Sequence, residues 1–424
     1  MRVLLVGSGG REHALAATLA RSPQLAALFI APGNPGTADI GTNVAIKADD
    51  VPALIAFARE NNIDLVVPGP EAPLVAGLAD ACAKAEIACA GPTRAAAQLE
   101  GSKKFTKEIC YAASIPTAQG EYFTNADKAI TYVRERGAPI VIKADGLAAG
   151  KGVVVAQTLS EAEDAIRQML NEGSMGDAGR HIVIEDCLEG EEVSLFAFCS
   201  GDKAVLIGAA QDHKRIGDND TGPNTGGMGA VSPPRGFSRE DQEKALDLLV
   251  RPMLHEMLRR GISFRGVIFA GLMLTKTGPQ LIEYNVRFGD PEAQALLIRL
   301  TSDLLPALKA LADGTLETAS ITFSDKAAVS LVMAAEGYPE KPVTGAVISG
   351  VDAAAALEGV QVFQAGTKTN DEGDLVVAGG RVLSVCALGD TVREARDKAY
   401  AGVKKISWKG AQWRTDIGAR ALES

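Results

Sequence analysis

Short apolar runs separated by amphipathic stretches distinguish the first hundred residues from the rest of the chain. Runs at 3–6, 28–31, 64–68 and 87–90 read as strands, and the stretches 12–21, 52–60 and 74–84 between them read as helices. Strands alternating with helices predict a parallel sheet covered on both faces. Gly7, Pro32, Pro68 and Gly91 follow strand ends, so their loops should gather at the carboxyl edge, where open α/β sheets bind ligands. A helical stretch over 93–114 stops before Pro116 and leads into a second region.

There the pattern changes. A helix from Thr124, with Ala129, Ile130 and Val133 as its apolar face, leads to strand 140–143, a Gly-rich turn, strand 153–156, helix 160–170 and strand 182–185, which together make one small α+β lobe. Strands 193–199 and 204–208, a Gly-rich charged loop over 211–229, helix 239–260 and a hairpin over 266–288 make another. Past Ser324, short strand-like runs and a helix over 391–406 predict a small β-rich terminal domain. The expected division is 1–100, a linking segment 101–121, then 122–190, 191–325 and 326–424.

Composition narrows the function. The 424 residues are 46% hydrophobic, enough for several cores. Net charge −10 with no basic run argues against a nucleic-acid partner. No stretch approaches the roughly 18 apolar residues of a membrane span. Six cysteines without a C-x-x-C pair read as buried thiols of a reducing cytoplasm.

Four stretches carry candidate chemistry. Gly7-Ser-Gly-Gly-Arg-Glu12 after the first strand offers helix-end amides to a phosphate, but Glu12 stands where a dinucleotide fingerprint needs its third glycine. Strand two ends in Ala31-Pro32, with no acid for a ribose, so a nicotinamide cofactor is rejected. The stretch 143–152, Lys-Ala-Asp-Gly-Leu-Ala-Ala-Gly-Lys-Gly, departs from a P-loop in spacing and continues into a strand, so it reads as a hairpin over phosphates with a lysine at its tip. Residues 182–194 form a strand whose linker can offer backbone groups to an adenine edge, with a carboxylate beyond it for ribose hydroxyls. In the strand 280–288, period two puts Leu281, Glu283, Asn285 and Arg287 on one face, and Ile282, Tyr284, Val286 and Phe288 on a buried one. A carboxylate followed by an amide oxygen suits Mg²⁺, which prefers hard oxygen ligands.

Lys103 in the Gly-Ser-Lys-Lys at 101–104, Lys143, the 145–152 hairpin, residues 185–188, Glu192 and the Glu283-x-Asn285 strand follow the order and spacing of the ATP-grasp fold. Within it the chain resembles the phosphoribosylamine–glycine ligase family over nearly its full length. The most specific blocks are Gln-Asp-His-Lys-Arg at 211–215, Asp-Thr-Gly-Pro-Asn-Thr-Gly-Gly-Met-Gly at 220–229 and Arg-Phe-Gly-Asp-Pro-Glu at 287–292. The resemblance implies an α/β and α+β multidomain protein: a Rossmann-like N-terminal domain with a parallel sheet, an ATP-grasp lid (122–190) and catalytic core, and a small C-terminal β-rich domain.

It also implies a cytoplasmic ligase of purine biosynthesis, a monomer or weak oligomer, whose partners are ATP, glycine and 5-phosphoribosylamine, with no nucleic acid or membrane. ATP falls to Lys103, Lys143, Gly146, Gly150, Lys151, Gly152, Glu185, Cys187, Leu188 and Glu192, and Mg²⁺ or Mn²⁺ to Glu283 and Asn285. Arg287 falls to the glycine carboxylate or acyl phosphate, and Asp212, Lys214 and Asn224 to the amine substrate and glycine. The Gly9 and Gly10 amides and the loop of Gly69, Pro70 and Glu71 fall to the ribose phosphate. Lys143, Arg287 and Asp212 are the expected catalytic residues. Many ATP-grasp enzymes bring a second carboxylate to the metal from the preceding strand, and here Gly271 stands near that place. Another ATP-grasp carboxylate–amine ligase, or a nucleotide-binding regulatory module without turnover, is the competing reading.

Overall fold

The computed structural model describes residues 1–147, 152–171 and 179–422. Its N-terminal sheet is parallel, in the order Thr42–Asn43, Ala27–Pro32, Arg2–Gly7, Leu65–Pro68, Ala88–Cys89. Both faces are buried, as the apolar runs require. Val3, Leu5, Leu28 and Ile30 pack with Leu15 and Leu308 on one side; Leu4, Val6, Ala31 and Val66 pack with Leu54 and Leu78 on the other. The short edge strand Thr42–Asn43 has no apolar run to announce it. The strand order reverses beside Arg2–Gly7, so the loops after Arg2–Gly7 and Leu65–Pro68 diverge and leave a crevice at the carboxyl edge.

The helical stretch expected over 93–114 is broken. Ser102 adopts extended backbone (φ −142°, ψ 115°) and accepts from the Phe105 amide, so it ends Gln98–Gly101 and caps Lys103–Ala112. Lys103 thereby becomes the first residue of a helix. The expected helix over 239–260 also divides, into Arg239–Ala245, a wide turn Leu246–Val250 and Arg251–Arg259, next to Pro252, which has no amide to donate.

An antiparallel four-stranded sheet follows, in the order Gly120–Phe123, Ile182–Asp186, Ile140–Ala144, Val153–Ala156. Ile140, Ile142, Ala144, Ile182 and Ile184 point toward helices Ala126–Arg136 and Leu159–Leu170. Val141, Lys143, Val153, Val155 and Glu185 face the opposite way. The third sheet is antiparallel and eight-stranded, in the order Gly278–Asn285, Arg265–Thr275, Glu191–Ser200, Lys203–Asp212, Gly229–Ser232, Ala327–Ala334, Arg381–Gly389, Val360–Gln364. Strands from the last hundred residues thus extend the same sheet through the pairing of Gly229–Ser232 with Ala327–Ala334. Phe196, Phe198 and Phe269 on one face of this sheet share a core with the parallel sheet through helices Glu292–Leu297 and Leu304–Asp313. That shared core fixes the N-terminal loops against the strand bearing Glu283.

Candidate active site

The three sheets meet around a cavity of about 790 Å³. The outward face of the four-stranded sheet forms its roof. Glu185, 4% exposed, lies between two lysines there: Lys143 Nζ is 2.7 Å from Oε2 and Lys107 Nζ 3.1 Å from Oε1. Lys143 also donates to the Ile282 carbonyl at 3.1 Å. Cys187 and Leu188, in the linker between strands Ile182–Asp186 and Glu191–Ser200, line the same wall with Gly146 and Gly152. Burial holds the Cys187 thiol above its ordinary range, which disfavours the thiolate a nucleophile needs. Asp145 accepts from Ser102 Oγ at 3.1 Å and the Lys104 amide at 3.2 Å, tying the start of the hairpin to the helix that presents Lys103. Gly150 and Lys151 lie outside the described residues.

The floor is strand Gly278–Asn285, and its alternation departs from period two. Gly271 pairs with Glu283 but Leu272 pairs with Leu281, so Ile282 is an extra residue, a bulge. Leu281 therefore turns into the core with Tyr284 and Val286, and Ile282 turns to the cavity, the reverse of the expected placement. Glu283, Asn285 and Arg287 line the cavity as expected. Gly271 lies directly across from Glu283 and brings no carboxylate.

Burial would raise the Glu283 carboxyl, but the charges of Lys214, Lys103 and Lys143 outweigh it and hold it at about 2. Asn285 Nδ2 donates to its Oε1 at 3.3 Å. An ionised carboxylate with an amide oxygen two residues along fits a hard divalent cation whose remaining positions go to phosphate and water. Among the described residues no three His, Cys, Asp or Glu side chains gather as a metal-holding group.

Asp212 ends strand Lys203–Asp212. Burial, with Glu292, Glu192 and Glu283 nearby and Lys214 opposing, pushes its carboxyl well above the usual range. Lys214 pairs with Glu192; burial opposes its charge, but Glu192, Asp212 and Glu283 together raise it. Asn224 closes the neighbouring hairpin and also lines the cavity.

The remaining end is built on the N-terminal loops. Arg287 donates to Glu71 (3.1 Å), Glu100 (2.7 Å), the Asn285 amide oxygen (3.1 Å) and the Phe288 carbonyl (3.4 Å), clamping the parallel-sheet lobe to the floor. Burial with Arg287 opposing leaves Glu100 raised, whereas at Glu71 Arg287 and Arg11 overcome burial and lower it. The Gly9 amide, expected to face a phosphate, donates to Glu12 Oε2 at 2.6 Å. A Cβ on Gly69 would lie 2.1 Å from Glu12 Oε1, and one on Gly10 2.7 Å from Gln294 Nε2. These glycines make room for the Glu12 carboxylate and for helix packing, and Arg11, Pro70 and Glu71 face the cavity. Glu12, which breaks the dinucleotide fingerprint, is thus the group that knits the loop.

Lys107, Glu100, Glu292 and Arg381 also line the cavity and were missed as site residues. Lys107 falls at one-turn spacing behind Lys103 and Lys104, a signal available in the sequence. Arg381, which donates to the carbonyls of Gly226 and Asp290 at 2.5 Å each, comes from far along the chain and gave none.

A cavity roofed by an α+β lobe with paired lysines, floored by a strand bearing Glu283 and Asn285, and closed by a second lobe defines an ATP-grasp ligase. Family models described as phosphoribosylglycinamide synthetase match the chain in order: the N domain over 1–100, the ATP-grasp (A) domain over 101–293 and the C domain over 328–420. A phosphoribosylamine–glycine ligase of Brucella melitensis is 53% identical over 423 residues, covering 100% of this chain and 99% of that one. One from Escherichia coli O6:H1 is 49% identical, with the same coverage. The crystal structure of the Thermotoga maritima phosphoribosylamine–glycine ligase superposes with a TM-score of 0.86 at 31% identity, over 98% of this chain and 100% of that one. The chain belongs to the phosphoribosylamine–glycine ligase family. The biotin carboxylase domain of Hydrogenobacter thermophilus 2-oxoglutarate carboxylase shares the fold at 15% identity, with a TM-score of 0.75 over 97% of this chain and 91% of that one.

Proposed function

We propose that this chain joins glycine to 5-phosphoribosylamine with ATP, giving glycinamide ribonucleotide, ADP and phosphate in purine biosynthesis, through a glycyl phosphate. The observation that carries the mechanism is the ionised Glu283 beside Asn285, with Lys103, Lys143 and Lys214 around it. Mg²⁺ or Mn²⁺ on Glu283 and Asn285 would neutralise phosphate oxygens. The adenine lies against the 185–188 linker, and Lys103 and Lys143 neutralise charge on the transferring phosphoryl group. A glycine carboxylate oxygen attacks the γ-phosphorus, the bond from that phosphorus to the bridging oxygen breaks, and ADP leaves. The substrate amine then attacks the acyl carbon, and phosphate leaves with that oxygen.

Arg287 has most of its donors committed to Glu71, Glu100 and Asn285, so it orients the acyl end from a fixed frame. Asp212 in its ionised form takes a proton from the attacking amine, a role its raised basicity supports, while Lys214 and Asn224 hold the substrates. The protein works in the cytoplasm as a monomer or weak oligomer, divided at residues 100, 121, 190 and 325. No helix among the described residues is long and apolar enough to cross a membrane. Phosphate release tests the reading. It should require both glycine and phosphoribosylamine; release with a different acid in place of glycine would point to another ATP-grasp ligase, and no release at all to a regulatory nucleotide-binding module.

A further inference from the structure

Lys107 is the one member of the roof triad whose protons are all committed inside the protein. Its Nζ donates to Thr117 Oγ1 at 2.9 Å and to the Ala118 carbonyl at 2.5 Å, and meets Glu185 Oε1 at 3.1 Å. Thr117 Oγ1 gives its own proton to the Leu281 carbonyl, so it accepts from the lysine. Burial lowers the Lys107 pKa, with Glu185 opposing and the Lys143 charge adding to the fall, but three acceptors around one nitrogen favour the ammonium form. Lys143 differs: Glu185 and the Ile282 carbonyl take two of its protons, and the third has no acceptor among the described residues while the side chain faces the cavity. A carboxylate paired to Lys143 alone would cancel the charge that phosphate needs.

We propose that Lys107 is a positioning residue for nucleotide binding. It neutralises Glu185, so that Glu185 can fix the Lys143 ammonium in place while the triad keeps one net positive charge for the ATP phosphates. Lys107 itself touches no substrate. Its effect is one of charge balance within a buried cluster, where a carboxylate left without its partner is costly.

The inference rests on the cavity being the ATP site, and a charge-rescue cycle tests it. Binding of a non-hydrolysable ATP analogue with Mg²⁺ is measured by calorimetry for wild type, Lys107→Met, Lys107→Arg and Lys107→Met/Glu185→Gln. Lys107→Met should weaken binding by on the order of tenfold or more. Lys107→Arg should recover part of the loss, and the double variant, whose cluster again carries one net positive charge but holds Lys143 less firmly, should bind about threefold or more tighter than Lys107→Met. Wild-type affinity in Lys107→Met, or a double variant as weak as the single one, overturns the proposal. If Lys107→Met fails to fold, Lys107→Gln takes its place in the cycle, and wild-type affinity in Lys107→Gln overturns the proposal. Absence of nucleotide binding in the wild type would instead refute the ATP site itself.

Discussion

The two ends of the cavity are built on opposite plans. At the nucleotide end, lysines outnumber the carboxylates they meet, and neighbouring residues on sheet faces and one helix start supply them: Lys103, Lys107, Lys143 and Glu185. At the substrate end carboxylates dominate, and distant segments bring Glu12, Glu71, Glu100, Asp290 and Glu292 around Arg11, Arg287 and Arg381. The first end is suited to hold a polyphosphate by surplus charge. The second ties its arginines to carboxylates and carbonyls, so it works by shape and orientation.

The largest effect that would break this contrast is at Glu283, where the ends meet. Glu283→Ala should lower kcat by at least roughly 10²–10³-fold, the scale of losing one group that stabilises developing charge, while thermal unfolding changes little. Wild-type kcat at saturating Mg²⁺ would remove Glu283 from the metal site.

Acid should act first on the framework behind the substrate end. Burial lowers His13 to about 4, and the Gln364 amide, which donates to its Nδ1 at 2.8 Å, needs that nitrogen unprotonated; burial followed by the Arg414 charge lowers His213 to about 4. Above the ordinary value of 6.5 both folded and unfolded chains carry neutral imidazoles. Below it only the unfolded chain takes up the protons, so stability falls as pH drops from 6.5 toward 4, by up to about 3 kcal/mol for each histidine. His13→Gln should flatten the dependence of Tm on pH in that window; an unchanged slope would contradict this account of His13.

A smaller effect sharpens the role of the glycines. Gly69→Ala places a methyl on Glu12 Oε1, and overpacking of this kind costs about 1–3 kcal/mol. The loss should appear as a lower Tm and a higher KM for phosphoribosylamine, with ATP affinity unchanged. A shift in ATP affinity would show that the two ends are coupled. Smallest of all, Cys187→Ser should leave kcat nearly unchanged, because only the backbone of the linker is needed. A dead variant would point to a covalent role for the thiol.

The same contrast explains what could be read from the chain. The residues lining the lysine-rich end were legible because strand alternation is local, and because Glu283 and Asn285 share one strand with Arg287 just beyond its end. Period two still failed at Ile282, since a bulge depends on the partner strand, which the sequence pattern does not reveal. The parallel sheet followed from its apolar runs, but Thr42–Asn43 pairs without one. At the substrate end the amides of the first glycine loop looked open to phosphate. That Gly9 donates to Glu12 is a contact within the loop itself, but that Gly69 must yield space to the same carboxylate depends on a segment far along the chain. Arg381 and the continuation of the core sheet into residues 327–389 are farther still.

Oxygen transfer tests the central claim most directly. With both carboxylate oxygens of glycine labelled with ¹⁸O, phosphate released during turnover with ATP and phosphoribosylamine should carry one label per amide formed, because the acyl C–O bond breaks when the amine attacks glycyl phosphate. Unlabelled phosphate accompanying amide formation would contradict direct phosphorylation of glycine.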